Sequence, residues 1–323
     1  MGRGIGKSFA CAAAVAVCLA GAAYAQTWPA KPVRILVPFG PGGGTDIQGR
    51  LLGRKFFESM GQSFVVENRA GASGLIGAEI IARSPPDGYN ILFTTASLSV
   101  NVSLYKKIAF DPLKDLQPIS WISSVPLVLV VHPSVPVKSV KELVALTRKQ
   151  KDGLNAASNG AGTTSHLSIE MLKQFAGANL THIPYKGGGP AMLAMVSGEV
   201  DFQFATALAA QPFIKGGKIR ALAVTTLKRS GAFPEVPTMA SIYPGFESDN
   251  WYAMFFPAGT SKELVAKMNT EILKALKASE IHDFIVKEGG DPVGSTPEEL
   301  AAYFKREVDK YAKIIKAGNI TAD

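Results

Sequence analysis

The 323-residue chain contains almost no cysteine. Its two cysteines, Cys11 and Cys18, lie within the first 25 residues, a segment that we expect to be removed. The remaining chain has no thiol, so it can form neither a disulfide nor a thiolate nucleophile, and its core alone must hold the fold together. The four histidines are far apart, and no Gly-x-Ser-x-Gly motif occurs. We therefore expect no catalytic residue, no metal and no cofactor, and thus no enzyme.

Long hydrophobic runs are also lacking after the N-terminal segment, so no later stretch predicts a membrane-spanning helix, which needs about 20 apolar residues. Within that segment, Arg3 and Lys7 precede an apolar run over residues 9–23, and an Ala-x-Ala cleavage site ends at Ala25. This order is typical of a secretory signal peptide. It predicts a signal peptide over residues 1–25, cleavage after Ala25 and a mature protein in the periplasm.

Charge is likewise not concentrated. The formal net charge of +8 falls to +6 once Arg3 and Lys7 are removed, and lysines and arginines form no run of five. Nucleic-acid binding usually requires a clustered basic surface, so we expect no nucleic-acid partner. A diffuse positive field favours encounters with anionic solutes, although it is equally typical of ordinary solubility charge.

Short β-rich runs alternate with helical segments along the mature chain. Predicted strands cover residues 33–38, 64–67, 91–95, 127–132, 154–157, 181–184, 201–204 and 221–225. Strands separated by helices predict an α/β fold with parallel strands and right-handed crossovers. The chain is long enough for two lobes, and we place the crossings between them near residues 123–126 and 225–250. Lobe I then comprises residues 26–124 and 227–323, and lobe II residues 125–226.

Three predicted helices begin at capping boxes, in which a hydroxyl and a glutamate three residues later satisfy free backbone amides. These boxes are Ser139 with Glu142, Thr260 with Glu263, and Thr296 with Glu299. The last of these helices has a wide apolar face between Leu300 and Ile315, and such a face must pack on another element. We expect this helix to lie against lobe I.

Three glycine-rich turns, residues 38–46, 159–166 and 184–190, each follow a predicted strand and open a predicted helix. The first amides of a helix have no internal partner and lie at the positive end of its dipole, so such turns can bind an anion. No Gly-Lys-Ser/Thr follows the first turn, which excludes a Walker A loop, and Thr45 interrupts a dinucleotide fingerprint. A tight turn capped by Thr45 or Asp46 is the alternative.

The second turn places three hydroxyls, those of Thr163, Thr164 and Ser165, at one helix start. One hydroxyl is needed as the N-cap, and the other two exceed what capping requires, which favours ligand contact. Ser165 and His166 do not form a catalytic pair, because adjacent helical residues do not face each other. We expect His166 to hydrogen-bond a carboxylate instead. In the third turn Lys186 can add a charge, although lysines beside such turns more often face solvent.

Motifs along nearly the whole mature chain closely resemble those of the Bug family, the extracytoplasmic solute receptors of tripartite tricarboxylate transporters. The opening motif is Trp-Pro-Ala-Lys-Pro-Val-Arg-Ile-Leu-Val-Pro-Phe-Gly-Pro-Gly-Gly at residues 28–43. The other matching segments are residues 67–78, 86–90, 162–167, 184–188, 234–238, 251–252 and 257–260. Motifs of this length in this order are highly specific.

The resemblance implies a type II periplasmic-binding-protein fold, in which two α/β lobes close by a hinge over a ligand cleft. Family members bind carboxylates through backbone amides, hydroxyls and bridging waters. Carried over by motif, the lobe I contacts are Phe39, Gly40, Pro41, Gly42, Gly43, Gly44, Thr45, Asp46 and Ser97. The lobe II contacts are Gly162, Thr163, Thr164, Ser165, His166, Gly187, Gly188, Gly189 and Thr206.

Family members that take amino acids tend to carry an acid just after the strand at residues 201–204. Ala205, Thr206 and Ala207 occupy that place here, which favours a ligand without an ammonium group. The resemblance thus predicts a monomeric receptor that captures a small organic carboxylate, di- or aromatic, and delivers it to the membrane permease subunits of a tripartite transporter. The alternative is a sensing subunit that presents its ligand to a signalling receptor.

Overall fold

The structure, a computed structural model, describes residues 28–321, so the predicted signal peptide lies outside the described residues. Its strands are β1 (Val33–Val37), β2 (Phe64–Asn68), β3 (Asn90–Thr95), β4 (Leu116–Val131), β5 (Leu154–Ser158), β6 (Leu180–Pro184), β7 (Phe202–Thr206), β8 (Arg220–Val224), β9 (Asp249–Pro257) and β10 (Asp291–Pro292).

The helices are α1 (Gly44–Met60), α2 (Leu75–Ala82), α3 (Ser97–Leu104), α4 (Pro112–Asp115), α5 (Val140–Lys149), α6 (Thr164–Ala176), α7 (Gly188–Ser197), α8 (Ala207–Lys215), α9 (Met239–Ile242), α10 (Lys262–Leu276), α11 (Ser279–Lys287) and α12 (Pro297–Gly318). Among residues 28–321, no helix combines the length and the apolar character that crossing a bilayer demands.

The first sheet has the strand order β2-β1-β3-β9-β4, and β10 pairs with β4. β1 runs parallel to β2 and β3, whereas β9 runs antiparallel to β3 and β4. The sequence did not predict β9 or residues 116–126 of β4. That part of β4 contains Pro118, Pro126 and three serines, a composition typical of turns. Pairing with β9 and the complete burial of Ile119 and Ile122 nevertheless keep it extended.

The second sheet is built on the later part of β4, residues 127–131, which pairs antiparallel with β7 and β8. β5 lies between β6 and β7 and runs parallel to both. β4 therefore belongs to both sheets and joins them. The alternation of strands and helices correctly predicted the parallel pairs, but the sheets are mixed because β4 and β9 pass between them without a helical crossover.

Helices cover both faces of each sheet, as the buried parallel strands require. On the first sheet, α1, α10 and α11 enclose one hydrophobic core, while α2 and α12 enclose the other. On the second sheet, α5 and α6 cover one face and α7 and α8 the opposite one. Each sheet therefore has its own cores, which leaves the space between the sheets open for a cleft.

Helix α12 was predicted to lie against lobe I, and it does pack on α3 and β4. It also reaches the second sheet, because Tyr311 and Ile315 share a hydrophobic cluster with Val100 and Leu104 of α3 and with Leu167 of α6. The terminal helix thus bridges the two halves of the molecule.

The segment between β8 and β9 packs on the second sheet, where Phe233, Met239 and Phe246 join its hydrophobic cores. The chain returns to the first sheet at β9, whose first residue, Asp249, pairs with Pro126 of β4. Residues 227–248 therefore lie beside the second sheet, whereas the predicted lobe I resumes at residue 227. The predicted lobe boundaries stay a prediction.

Candidate ligand-binding cleft

A cavity of about 800 Å³ lies between the two sheets. Loops at the carboxyl ends of β1, β2, β3, β5, β6 and β7 converge on it, and ligands bind at this edge of open α/β sheets. The wall comprises residues 38–45, Ala70, Gly71, Ser73, Gly74, Thr95, Ser97, Asn159, Gly160, Thr163, Thr164, residues 185–190, Thr206, Leu208, Ala209, Asn250 and Tyr252.

Most of the predicted ligand contacts are brought together in this wall. From the first sheet it contains Phe39, Gly40, Pro41, Gly42, Gly43, Gly44, Thr45 and Ser97, and from the second Thr163, Thr164, Gly187, Gly188, Gly189 and Thr206. Four predicted contacts, Asp46, Gly162, Ser165 and His166, are not wall residues. Each of these four has partners inside the protein, described below.

The turn between β1 and α1 contributes the longest continuous part of the wall. Gly43 is the N-cap of α1, and no side chain caps this helix, so its first amides are free to bind an anion. Gly42 requires glycine because its φ is +80°. At Gly40 a Cβ would meet no atom within 4 Å, so glycine there keeps space open beside the amides.

Asp46 was predicted to contact the ligand, but its carboxylate is used within the turn. It accepts hydrogen bonds from the N–H of Gly42 and the side chain of Asn68, each at 3.0 Å, and pairs with Arg50 at 2.9 Å. Burial opposes ionisation of Asp46, but the hydrogen bonds outweigh it and lower its pKa. Asp46 therefore shapes the turn from behind the cavity.

The three hydroxyls at the start of α6 have different surroundings. Thr163 accepts a hydrogen bond from the N–H of His166 at 3.4 Å and so caps α6. Ser165 is fully buried and donates to the carbonyl of Phe204 at 2.7 Å. Thr164 lies in the wall, with its hydroxyl 3.5 Å from Oδ1 of Asn250 on β9.

His166 and His182 form a stacked pair behind the second turn, with ring centroids 4.0 Å apart. His166 is buried and His182 is half-buried. Nδ1 of His166 accepts a hydrogen bond from the N–H of Gly162 at 3.1 Å, and Nε2 of His182 lies 2.6 Å from the hydroxyl of Ser158. Burial lowers the pKa of His166 to about 4 and that of His182 to about 3. Both rings are therefore neutral at neutral pH and hold the turn in place.

The starts of α7 and α8 on the second sheet are open to the cavity. Gly187 and Thr206 are the N-caps of α7 and α8, and neither helix has a side-chain cap. Among residues 28–321, Lys186 is the only charged side chain in the cavity wall. Backbone amides, hydroxyls, the side-chain amides of Asn159 and Asn250, and one lysine therefore provide the polar groups of the wall.

The loop after β2 was missed as part of the site, although it lies within a motif of the family resemblance. Ala72 and Ser73 have φ values of +45° and +50°, which are uncommon for residues other than glycine. The hydroxyl of Ser73 donates to the carbonyl of Ala161 on the opposite side of the cleft, and Asn101 donates to the carbonyl of Ser73 at 2.9 Å. These bonds hold the loop across the cleft in its strained conformation.

Asn250 and Tyr252 of β9 were also missed, because the strand that carries them was not predicted. Nδ2 of Asn250 donates to the hydroxyl of Tyr252 at 3.2 Å. Residues 251–252 lie in a resemblance motif, and period-two alternation places Asn250 and Tyr252 on one face of a strand. Recognition of a strand there is the signal that would have found them.

Comparison with known proteins agrees with this geometry. Residues 49–320 match the TctC family, the tripartite tricarboxylate transporter family receptor. Protein BugT of Bordetella pertussis is 36% identical over 301 residues, which cover 92% of each chain. R. palustris Rpa4515, solved with adipate, has a TM-score of 0.86 at 34% identity and covers 91% of this chain and 99% of its own. MatC (Rpa3494) from Rhodopseudomonas palustris, solved with bound malate, has a TM-score of 0.83 at 30% identity, with coverages of 89% and 100%.

The mixed α/β fold and the cleft between its sheets define a solute-binding protein of the periplasmic type. The chain belongs to the TctC family of tripartite tricarboxylate transporter receptors. Members of this family are periplasmic receptors that bind solutes and are not enzymes. The predicted family, fold class and non-enzymatic character are thus confirmed by the relatives.

Proposed function

We propose that this protein captures a small dicarboxylate in the cleft and delivers it to the membrane permease subunits of a tripartite tricarboxylate transporter. The observation that carries this proposal is the convergence of uncapped helix starts on one cavity. Helices α1 and α2 of the first sheet and α7 and α8 of the second lack side-chain caps at wall residues. Free amides at helix starts stabilise negative charge, and two groups of them on opposite sides suit a ligand with two carboxylates.

Two further features support a dicarboxylate without an ammonium group. Adipate and malate, the ligands of Rpa4515 and MatC, are both dicarboxylates. The cavity wall, within the described range 28–321, contains no aspartate or glutamate that could pair with an ammonium group. An amino acid would bury its ammonium group unpaired there, which is unfavourable.

The proposed contacts differ in part from those that the motifs suggested. The amides at the starts of α1, α2, α7 and α8 bind the carboxylates, and the hydroxyls of Ser97, Thr164 and Thr206 add donors. The hydroxyl of Thr163 caps α6 and donates to the carbonyl of Gly160 at 2.7 Å, so it is not such a donor. Asp46, Gly162, Ser165 and His166 support the loops from behind. Ligand bound by both sheets favours the closed arrangement over an open one, because only the closed arrangement offers both sets of amides. A hinge closure of the lobes on ligand follows.

Isothermal titration calorimetry on the mature protein tests this function. Adipate, malate and succinate are compared with aspartate, with a neutral sugar and with adipamide, which has the length of adipate without its charges. We expect a dicarboxylate to bind with a Kd on the order of 1 µM, and adipamide and aspartate to bind far more weakly. Binding of only neutral ligands, or of aspartate in preference to succinate, would contradict the proposal.

Export is part of the same proposal. We infer that the signal peptide directs the chain to the periplasm and is removed after Ala25. Mass spectrometry of protein from a periplasmic fraction should give a chain that starts at Gln26. A mature protein that retains the N-terminal segment would contradict this part.

A further inference from the structure

Glu288, the residue after helix α11, is a buried acid close to the cleft. Its exposed fraction is 2%, and its Oε2 atom has no hydrogen-bond partner among the described residues. Buried polar atoms without partners are rare in folded proteins, and each such atom calls for an explanation. Burial raises the pKa of Glu288 to about 8, so the carboxyl is uncharged at neutral pH.

Glu288 lies directly behind two residues of the cavity wall, Gly44 and Tyr252. A Cβ built on Gly44 would lie 3.2 Å from Oε1 of Glu288 and 2.9 Å from the hydroxyl oxygen of Tyr252. Both oxygens therefore approach the first residue of α1, and glycine is required there because any side chain would collide with them. The cavity, the start of α1 and the buried carboxyl are thus in contact through Gly44.

The hydroxyl of Tyr252 connects Glu288 to the rest of the wall. It accepts a hydrogen bond from Nδ2 of Asn250 at 3.2 Å, while Oδ1 of Asn250 lies 3.5 Å from the hydroxyl of Thr164 on the opposite side of the cleft. The proton of the Tyr252 hydroxyl is left to donate to another group. Burial and the nearby Glu288 raise the pKa of Tyr252 well above its usual value, so this hydroxyl keeps its proton.

We propose that Glu288 is a positioning residue that sets the pH range of ligand binding. While uncharged, its carboxyl leaves the amides at the start of α1 free to attract an anion, and its ionisation weakens the binding of an anion at those amides. This inference rests on the proposed carboxylate ligand. A negative charge behind Gly44 would repel a ligand carboxylate across a gap too narrow for water to screen it well.

Within residues 28–321, the surroundings of Glu288 contain no charge that would hold it ionised. From β9 it faces Tyr252, and from α1 it faces Gly44, while the charged groups of that helix start, Asp46 and Arg50, pair with each other. The turn at residues 230–232 contacts the neighbouring Gly289 through Ser230 and Ala232, which are uncharged. Burial alone accounts for the raised pKa of Glu288.

The direction of the pH effect follows from this raised pKa. Below about pH 8 the carboxyl keeps its proton and ligand binding is unimpaired; above it the ionised fraction grows, and affinity falls by up to tenfold per pH unit. Ligand carboxylates are fully ionised throughout this range, since their usual pKa values lie near 4. Their own titration therefore does not contribute.

The test measures adipate affinity at pH 7 and pH 9 by calorimetry. We expect wild-type affinity to fall about tenfold over this interval, and Glu288→Gln to bind as wild type at pH 7 and to stay constant at pH 9. Glu280→Gln is the matched control, because it makes the same substitution at an exposed position on α11. It should keep the wild-type fall, which shows that losing a glutamate elsewhere on α11 does not flatten the pH profile. Constant affinity in Glu288→Gln then separates Glu288 from any other group that titrates in this range.

A folding control accompanies the affinity measurements. Thermal melting at both pH values establishes that the variants are folded, and Glu288→Met, another uncharged side chain of similar length, replaces Glu288→Gln if the latter does not fold. A wild-type affinity that is constant between pH 7 and pH 9, or a fall that persists in both Glu288 variants, would overturn this inference alone. Failure of the wild type to bind any carboxylate at either pH would overturn the proposed function, and this inference with it.

Discussion

Helix starts at the cleft differ from helix starts elsewhere in the molecule. At the cleft, Gly43, Gly74, Gly187 and Thr206 are the N-caps of α1, α2, α7 and α8, and none of these helices has a side-chain cap. Away from it, Asp111, Ser139, Thr238, Ser261 and Thr296 cap α4, α5, α9, α10 and α12. One exception lies on each side: Thr163 caps α6 at the cleft, and α11 starts uncapped at Ala278 away from it. Helix α3, whose first residue Ser97 lies in the cavity wall, has no side-chain cap from its N-cap Ala96, but the N–H of Ser97 donates to the hydroxyl of Thr95.

The two groups of helices differ in what satisfies their first backbone amides. A side-chain cap stabilises a helix start by about 1 kcal/mol, and the peripheral helices use this interaction. The cleft helices instead leave their first amides to solvent or ligand. The start of α2 is partly satisfied, because the N–H of Leu75 donates to the carbonyl of Ala72. Free donors at the other helix starts around the cavity lower stability slightly and suit an anion. At the exception, α6, the hydroxyls of Thr163 and Ser165 have partners within the protein, and the hydroxyl of Thr164 lies in the cavity wall.

The largest effect on ligand affinity is expected from adding a side-chain cap to a cleft helix. Gly43 has the backbone conformation of an ordinary N-cap, with φ −82° and ψ 167°, and a Cβ there would meet only the Gly40 carbonyl oxygen, at 3.9 Å. Gly43→Asp should therefore place a carboxylate on the amides of α1. We expect adipate affinity to fall about 100-fold, equivalent to losing one or two charged hydrogen bonds, while the melting temperature stays the same or rises.

Calorimetry and thermal melting measure the two effects of this substitution. Gly43→Ala is the control, since it adds a Cβ without a carboxylate and should reduce affinity far less. If Gly43→Asp binds adipate as wild type does, the amides of α1 are not ligand contacts.

Adjacent hydroxyls at the start of α6 offer a second, smaller test. Thr164 faces the cavity, whereas Ser165 donates to Phe204 within the protein. Thr164→Ala should lower adipate affinity about tenfold with little change in stability, and Ser165→Ala should lower stability by about 1 kcal/mol and leave affinity unchanged. The same two measurements compare these variants. Equal effects of both substitutions on affinity would mean that the start of α6 acts as a single structural unit.

The smallest expected effect lies at a peripheral cap. Thr296 and Glu299 form a complete capping box at α12. Thr296→Ala should lower the free energy of unfolding by about 1 kcal/mol without changing adipate affinity. Glu299→Gln is the matched control, because glutamine also serves in a capping box and should preserve most of the stability. A loss of affinity in Thr296→Ala would show that peripheral helix starts also influence the cleft.

Helix caps also show how much of the structure a local sequence pattern can predict. The box at Thr296 with Glu299 is complete, and Ser139 caps α5 as predicted. In the predicted box at Thr260, however, the neighbouring Ser261 is the N-cap and accepts from the N–H of Leu264. Both residues can cap a helix, and their local chemistry does not distinguish them. Burial does: Thr260 is 7% exposed and donates to the carbonyl of Pro257.

Strand prediction succeeded where composition matched the structure and failed where tertiary pairing overrode it. Most strands of both sheets lie within a residue or two of their predicted bounds. The prolines and serines in the early part of β4 predict a turn. Only pairing with β9 makes this segment a strand. Because β9 was not predicted, Asn250 and Tyr252, which form part of the cleft wall, were not predicted either.

The sequence by itself determined the family, the alternation of strands and helices, and the glycine-rich turns that supply free amides, because these depend on local chemistry and on motifs. Only the tertiary structure decided which side chains at those turns face the cavity. His166 and Ser165 point inward because the protein satisfies them there, through Gly162 and Phe204. Glu288 comes to lie behind Gly44 although 244 residues separate them in the chain. Burial and contacts between distant segments, which no local pattern encodes, are the physical reason.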